Sequence, residues 1–170
     1  MGRKPVIAAV NGLCFGGGME MIINADMVLA SGAARFGLPE VRRGVGAIAG
    51  ALPRLVRAVG RVRAGEMAEL GRTDYIGEDM RLWGLVNKVC EDVVDEAVRW
   101  AEDICRNSPD SVLVTKRGLA IGWEGGGVEE GSQRLEEGIE WRGLQRGDNI
   151  REGLRAFVEK REPRWVDSKL

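Results

Sequence analysis

Three consecutive glycines, Gly16-Gly17-Gly18, separate a short apolar run from a stretch with helical patterning, and this junction limits the fold more than any other feature. A glycine triplet permits a tight turn that lets a strand and the following helix pack closely. Before it, Val6-Ile7-Ala8-Ala9-Val10 is apolar and rich in β-branched residues, which predicts a fully buried strand closed by Asn11-Gly12. After it, residues 19–24 read as helix, Met27–Ala30 as a second buried strand, and Ala34-Arg35-Phe36 as a brief third. Strand, helix, strand and strand in this order predict an α/β domain. A strand as apolar as the first needs neighbours on both sides, and too few strands follow to supply them. The expectation is that further sequence belongs upstream.

From Gly50 the pattern turns helical, through residues 51–56 and then 60–70, with basic residues on one face. Trp83-Gly84-Leu85-Val86-Asn87-Lys88-Val89 ends in a short strand. Val93–Cys105 places Val94, Ala97, Val98, Ala101, Ile104 and Cys105 at amphipathic helical spacing. Asn107-Ser108-Pro109 breaks that helix, and Pro109 suits the first turn of the next. Residues 124–131 are rich in glycine and glutamate and predict a loop or a weakly held helix end. Residues 134–161 return to a charged helical pattern, with Leu154, Phe157 and Val158 as its apolar stripe. The expected division is a core over residues 1–90 and a helical region over 91–170.

Composition narrows the chemistry. A net charge of −1 over 170 residues offers no bulk electrostatic pull toward nucleic acid or a membrane surface. No apolar run approaches the roughly 18–20 residues of a membrane span, and Arg3-Lys4-Pro5 does not open a secretory signal. Cys14, Cys90 and Cys105 lie too far apart for a zinc knuckle and fit free thiols in a reducing compartment. Histidine is absent. Ser-His-Asp and Cys-His catalysis and histidine metal sites therefore fall away, and no metal is expected. Carboxylates become the leading candidates for any proton transfer.

The glycine turn lacks the Lys-Ser/Thr of a phosphate-binding P-loop and the spacing of a dinucleotide fingerprint. Two readings remain: a turn for close packing, or a helix start whose free N–H groups stabilise an oxyanion. Glu20 and Glu40 carry a similar ambiguity, since each fits a helix-start charge as well as an acid–base group.

The motifs resemble the central block of the crotonase family, the enoyl-CoA hydratases and isomerases. The resemblance rests on Lys4-Pro5-Val6-Ile7-Ala8-Ala9-Val10-Asn11-Gly12, Gly16-Gly17-Gly18-Met19-Glu20 and Phe36-Gly37-Leu38-Pro39-Glu40. It continues through Ala49-Gly50-Ala51-Leu52-Pro53-Arg54-Leu55, the Trp83–Val89 motif and Glu152-Gly153-Leu154-Arg155-Ala156-Phe157-Val158-Glu159-Lys160-Arg161. It implies part of a β-β-α spiral followed by a C-terminal helical oligomerisation region, assembling as trimers or dimers of trimers. It implies acyl-CoA thioester substrates, with no cofactor beyond the coenzyme A of the substrate. Gly17 matches the oxyanion-hole donor, and Glu20 and Glu40 match the two hydratase carboxylates, Glu20 chiefly for water and Glu40 chiefly for the α-carbon. Gly16 and Gly18 flank that donor, and Phe157 and Lys160 match positions near the CoA moiety. Two carboxylates imply 2-enoyl-CoA hydration ahead of double-bond isomerisation.

The departures are specific. The family carries a further N-terminal part that supplies the second oxyanion N–H and much of the CoA wall. Without it the alternative is a catalytically inactive subunit. The stretch Glu40-Val41-Arg42-Arg43-Gly44-Val45-Gly46-Ala47 lacks the usual Pro-Gly-rich run, so the resemblance leaves the acyl group open. Ser168-Lys169-Leu170 reads as a peroxisomal import signal, with the import receptor as partner and the peroxisome as location.

Overall fold

The apolar run near the start of the chain forms a strand, β1 (Ile7–Val10), at the edge of its sheet. In this computed structural model, which describes residues 2–170, β1 pairs in parallel with β3 (Met27–Ala30). Strand β3 pairs on its far side with β6 (Lys88–Val89), also in parallel. Only Val10 of β1 is buried, while Ile7, Ala8 and Ala9 are half-buried. This corrects the expectation of a fully buried first strand. Apolar content implies burial only where neighbours cover the strand, and among the described residues no strand pairs with the outer edge of β1.

A strand that the glycine turn concealed, β2 (Leu13–Phe15), follows Asn11-Gly12 and enters a second sheet. There it runs parallel to β4 (Arg35–Gly37), which pairs antiparallel with β5 (Tyr75–Ile76). The first four strands therefore alternate between the sheets, with β1 beside β3 and β2 beside β4. The corners continue the ladder, since Ser31 N–H donates to Val10 O at 2.8 Å and Arg35 N–H to Gly12 O at 3.1 Å. With α1 (Gly17–Ile22) after β2, the unit is a β-β-α turn.

The core of this unit buries Met19 from α1, Phe36 from β4 and Leu38 beyond it. Helix α2 (Ala51–Val59) adds Ala51, Leu55 and Val59, an i, i+4, i+8 stripe on one face. Helices α3 (Arg61–Leu70) and α4 (Gly77–Leu82) contribute Met67 and Met80.

The chain divides into two compact units, one spanning Val6–Trp100 and the other formed by residues 2–5 with Ala101–Leu170. The division falls within α5 (Val93–Cys105). In the second unit, α6 (Pro109–Glu124) starts where Ser108 and Pro109 direct, with Ser108 Oγ accepting from Ser111 N–H at 3.4 Å. Part of the stretch expected to be a loop or weak helix end belongs to α7 (Val128–Glu136). Glu129 and Glu130 lie in its first turn, where the helix dipole favours carboxylates. The charged pattern of 134–161 breaks at Gly138 and Gly147 into the end of α7, α8 (Ile139–Arg146) and α9 (Asp148–Glu159).

Buried Asn149 organises this second unit. Its Nδ2 donates to Asp110 Oδ2 at 2.9 Å and to Val166 O at 3.0 Å, while Oδ1 accepts from Val166 N–H at 2.9 Å.

Candidate active site

The site begins at Gly16, whose φ of 52° and ψ of −119° suit glycine and strain other residues. Its N–H donates to Gly37 O at 3.2 Å and its C=O accepts from Glu20 N–H at 2.9 Å, fixing the turn from β2 into α1 against the end of β4. The N–H groups of the first helical turn, Gly17 among them, have no acceptor inside the helix. Gly17 is exposed and Met19 is fully buried.

Glu20 lies in that first turn, and its Oε1 accepts from Ala49 N–H at 2.8 Å. Val6, Gly17, Glu20, Met21, Asn24, Ala25 and Ala49 line an open groove of about 550 Å³. Glu20 is the one ionisable side chain of that wall. Asn24, in the turn that follows α1, extends it, donating from Nδ2 to Glu20 O at 2.7 Å.

Glu40 reaches the turn from another direction. It opens a 3₁₀ turn, Glu40–Arg43, directly after Pro39. A Cβ placed on Gly16 would lie 3.2 Å from Glu40 Oε1, so the carboxyl occupies space that only glycine leaves. Its Oε2 is buried and has no hydrogen-bond partner among the described residues. A buried acceptor left open is costly and calls for an explanation in the function of the site. Glu40 does not line the groove that holds Glu20 and Gly17.

Cys14 sits behind the turn, 3.7 Å from where a Cβ on Gly18 would lie. Burial pushes its thiol up to about 11, so it is protonated at neutral pH and a poor nucleophile. Among the described residues, no group of three or more His, Cys, Asp or Glu is placed to hold a metal ion. No described helix is long and apolar enough to cross a membrane.

A sequence profile of the enoyl-CoA hydratase/isomerase family matches residues 1–168. The chain belongs to that family. Within it, the chain is 59% identical to the mevalonyl-coenzyme A hydratase of Beauveria bassiana, over 99% of this chain and 61% of that protein. It is 54% identical to the mevalonyl-coenzyme A hydratase of Aspergillus fumigatus, over 99% of this chain and 63% of that protein. An enoyl-CoA hydratase structure from Mycobacterium tuberculosis H37Rv superposes with a TM-score of 0.89 at 33% identity, covering 98% of this chain and 65% of that one. The chain thus spans just over six-tenths of the length of these curated relatives. Its α/β architecture is the crotonase fold in part, with a C-terminal helical region.

Of the residues that the family resemblance singles out, Gly16 and Glu40 meet at the turn, and Gly17 and Glu20 share the groove. Gly18 is the next residue of α1. Phe157 and Lys160 belong to the helical unit, where Phe157 is 85% exposed on α9 and Lys160 is its left-handed C-cap. The sequence reading missed Ala49, whose N–H holds Glu20.

Proposed function

We propose that this family member interconverts a 3-hydroxyacyl-CoA and the corresponding 2-enoyl-CoA by loss or addition of water, with mevalonyl-CoA as its substrate. The carrying observation is that the glycine turn has two carboxylates beside it. Glu20 is held by the Ala49 N–H in a groove shared with Gly17, and Glu40 is packed on Gly16 with one oxygen open. The names of the relatives at 59% and 54% identity support the choice of acyl group.

Mevalonyl-CoA has a hydroxyl on its β-carbon and no carbon–carbon double bond, so a hydratase acts on it by elimination. Glu40 as carboxylate takes the α-proton, and negative charge develops on the thioester oxygen. The N–H of Gly17 donates to that oxygen. Glu20 as carboxylic acid gives its proton to the departing β-hydroxyl, and water leaves as the double bond forms. Hydration runs the same steps in reverse, with Glu20 taking a proton from the attacking water. Isomerisation, the second reading, needs only one carboxylate to move a proton between two carbons. The presence of Glu20 as well as Glu40 at the glycine turn favours hydratase chemistry over it.

Gly16 and Gly18 shape the thioester end of this site, and Phe157 and Lys160 contribute to CoA binding. The exposed stripe of Leu154, Phe157 and Val158 suits assembly into trimers or dimers of trimers. Where Leu170 is the terminal residue, Ser168-Lys169-Leu170 directs the protein to the peroxisome through the import receptor. Import of a fluorescent fusion, lost when Leu170 is removed, tests that assignment.

The enzymatic test is turnover of mevalonyl-CoA, followed as appearance of the conjugated thioester absorbance. Turnover that is lost in Glu20→Gln and in Glu40→Gln supports the proposal. Turnover that survives in both variants contradicts it.

A further inference from the structure

We infer that Arg54 is a positioning residue for Glu20, acting through the turn at Ala49-Gly50, an inference that rests on the hydratase reading of Glu20. Gly50 is the N-cap of α2, with a φ of 94° that a side chain would strain. Arg54 folds back over it, and its Nη1 donates to Gly50 O at 3.0 Å. A Cβ on Gly50 would collide with that same nitrogen. Glycine at 50 and arginine at 54 are thus two halves of one contact. The adjoining residue is Ala49, whose N–H donates to Glu20 Oε1.

Stability alone gives a poor reason for this arrangement. A cation in the first turn of a helix opposes the helix dipole. Among the described residues no carboxylate pairs with Arg54 and its buried Nε has no acceptor. Arg54 breaks these local rules while its Nη1 donates to Gly50 O, next to the residue that holds Glu20, and such local exceptions cluster at functional sites. What the contact accomplishes is to close the turn so that the Ala49 N–H faces Glu20. One oxygen of Glu20 is then fixed, and Oε2 has no partner among the described residues, leaving it free for water.

The test combines turnover with a direct view of the Ala49 amide. Arg54→Ala should lower kcat about 10- to 100-fold with little change in KM, as expected when a reacting group is displaced by about an ångström. Arg54→Lys, which keeps one donor for Gly50 O, should recover most of the loss. In a Glu20→Gln background, Arg54→Ala should cost nothing further, because residues that act through one another are not additive. A double variant slower by the full Arg54→Ala factor would overturn the inference.

The Ala49 amide resonance is expected to move upfield in Arg54→Ala and in Glu20→Gln, and to stay in place in Arg54→Lys. An unmoved Ala49 resonance in folded Arg54→Ala overturns the inference, whatever the kinetics. A folded wild-type chain without turnover sinks the hydratase reading, and the amide shift still decides whether Arg54 positions Glu20.

Discussion

Glu20 and Ala49 are joined by one hydrogen bond, 2.8 Å from the Ala49 N–H to Oε1, across 29 positions of sequence. The orientation of a helix-borne carboxyl therefore depends on the loop that leads into α2. Glu40, by contrast, depends on what Gly16 lacks, since its carboxyl fills the space of an absent Cβ. One carboxyl is held by a donor, and the other sits close to the turn with an oxygen unpartnered among the described residues.

Replacing either carboxyl tests the division of labour. Glu20→Gln and Glu40→Gln are each expected to lower kcat about 100- to 10,000-fold, the usual worth of a positioned acid or base. Exchange of the α-proton with solvent deuterium separates the roles. It should persist in Glu20→Gln and vanish in Glu40→Gln.

Gly16→Ala should damage both fold and activity. The backbone conformation at this position is sparsely populated for other residues and costs about 1–3 kcal/mol. The new methyl would also press on Glu40 Oε1 from 3.2 Å. Thermal unfolding is expected to show a modest loss of stability, with a larger proportional loss of turnover.

Much of this was legible in the sequence. The apolar runs of β1 and β3, the helix start at Pro109 and the glycine turn all carry local signals strong enough to survive folding. Strand β2 was missed because three residues before a glycine triplet show no period of their own, and its place is set by pairing with β4. Full burial of β1 was expected from its apolarity, whereas three of its four residues are half-buried at a sheet edge, in keeping with the shortage of flanking strands that the sequence already showed. Within the site, Glu20 and Glu40 stand out as residues, while the Ala49 N–H does not. A backbone donor has no side-chain letter.

Asn149→Ala is expected to destabilise the helical unit. It removes the amide that pairs with Val166 and strips Asp110 Oδ2 of a buried donor, while Asp110 Oδ1 already has none. Leaving such a group unsatisfied costs about 1–3 kcal/mol. Hydrogen exchange should rise first in α9 and around Val166.

Acid stability has an identifiable contributor in Glu96. Hydrogen bonds from Lys88, Arg99 and Trp100 hold its carboxyl at about 2, below its ordinary value of 4.5. A depressed carboxyl adds stability above its unfolded value and loses it as pH falls toward the folded one. The contribution is therefore complete above about pH 4.5 and fades down to about pH 2. Glu96→Gln should lower the melting temperature at neutral pH, and the gap from wild type should narrow across that window.

The most direct single measurement is elimination of water from mevalonyl-CoA by the purified, folded chain, read as growth of conjugated thioester absorbance. Growth that stops in both Glu20→Gln and Glu40→Gln is the expected result. Growth that continues in both, or none from folded wild type, would contradict the assignment of this chain as a hydratase built on those two carboxylates.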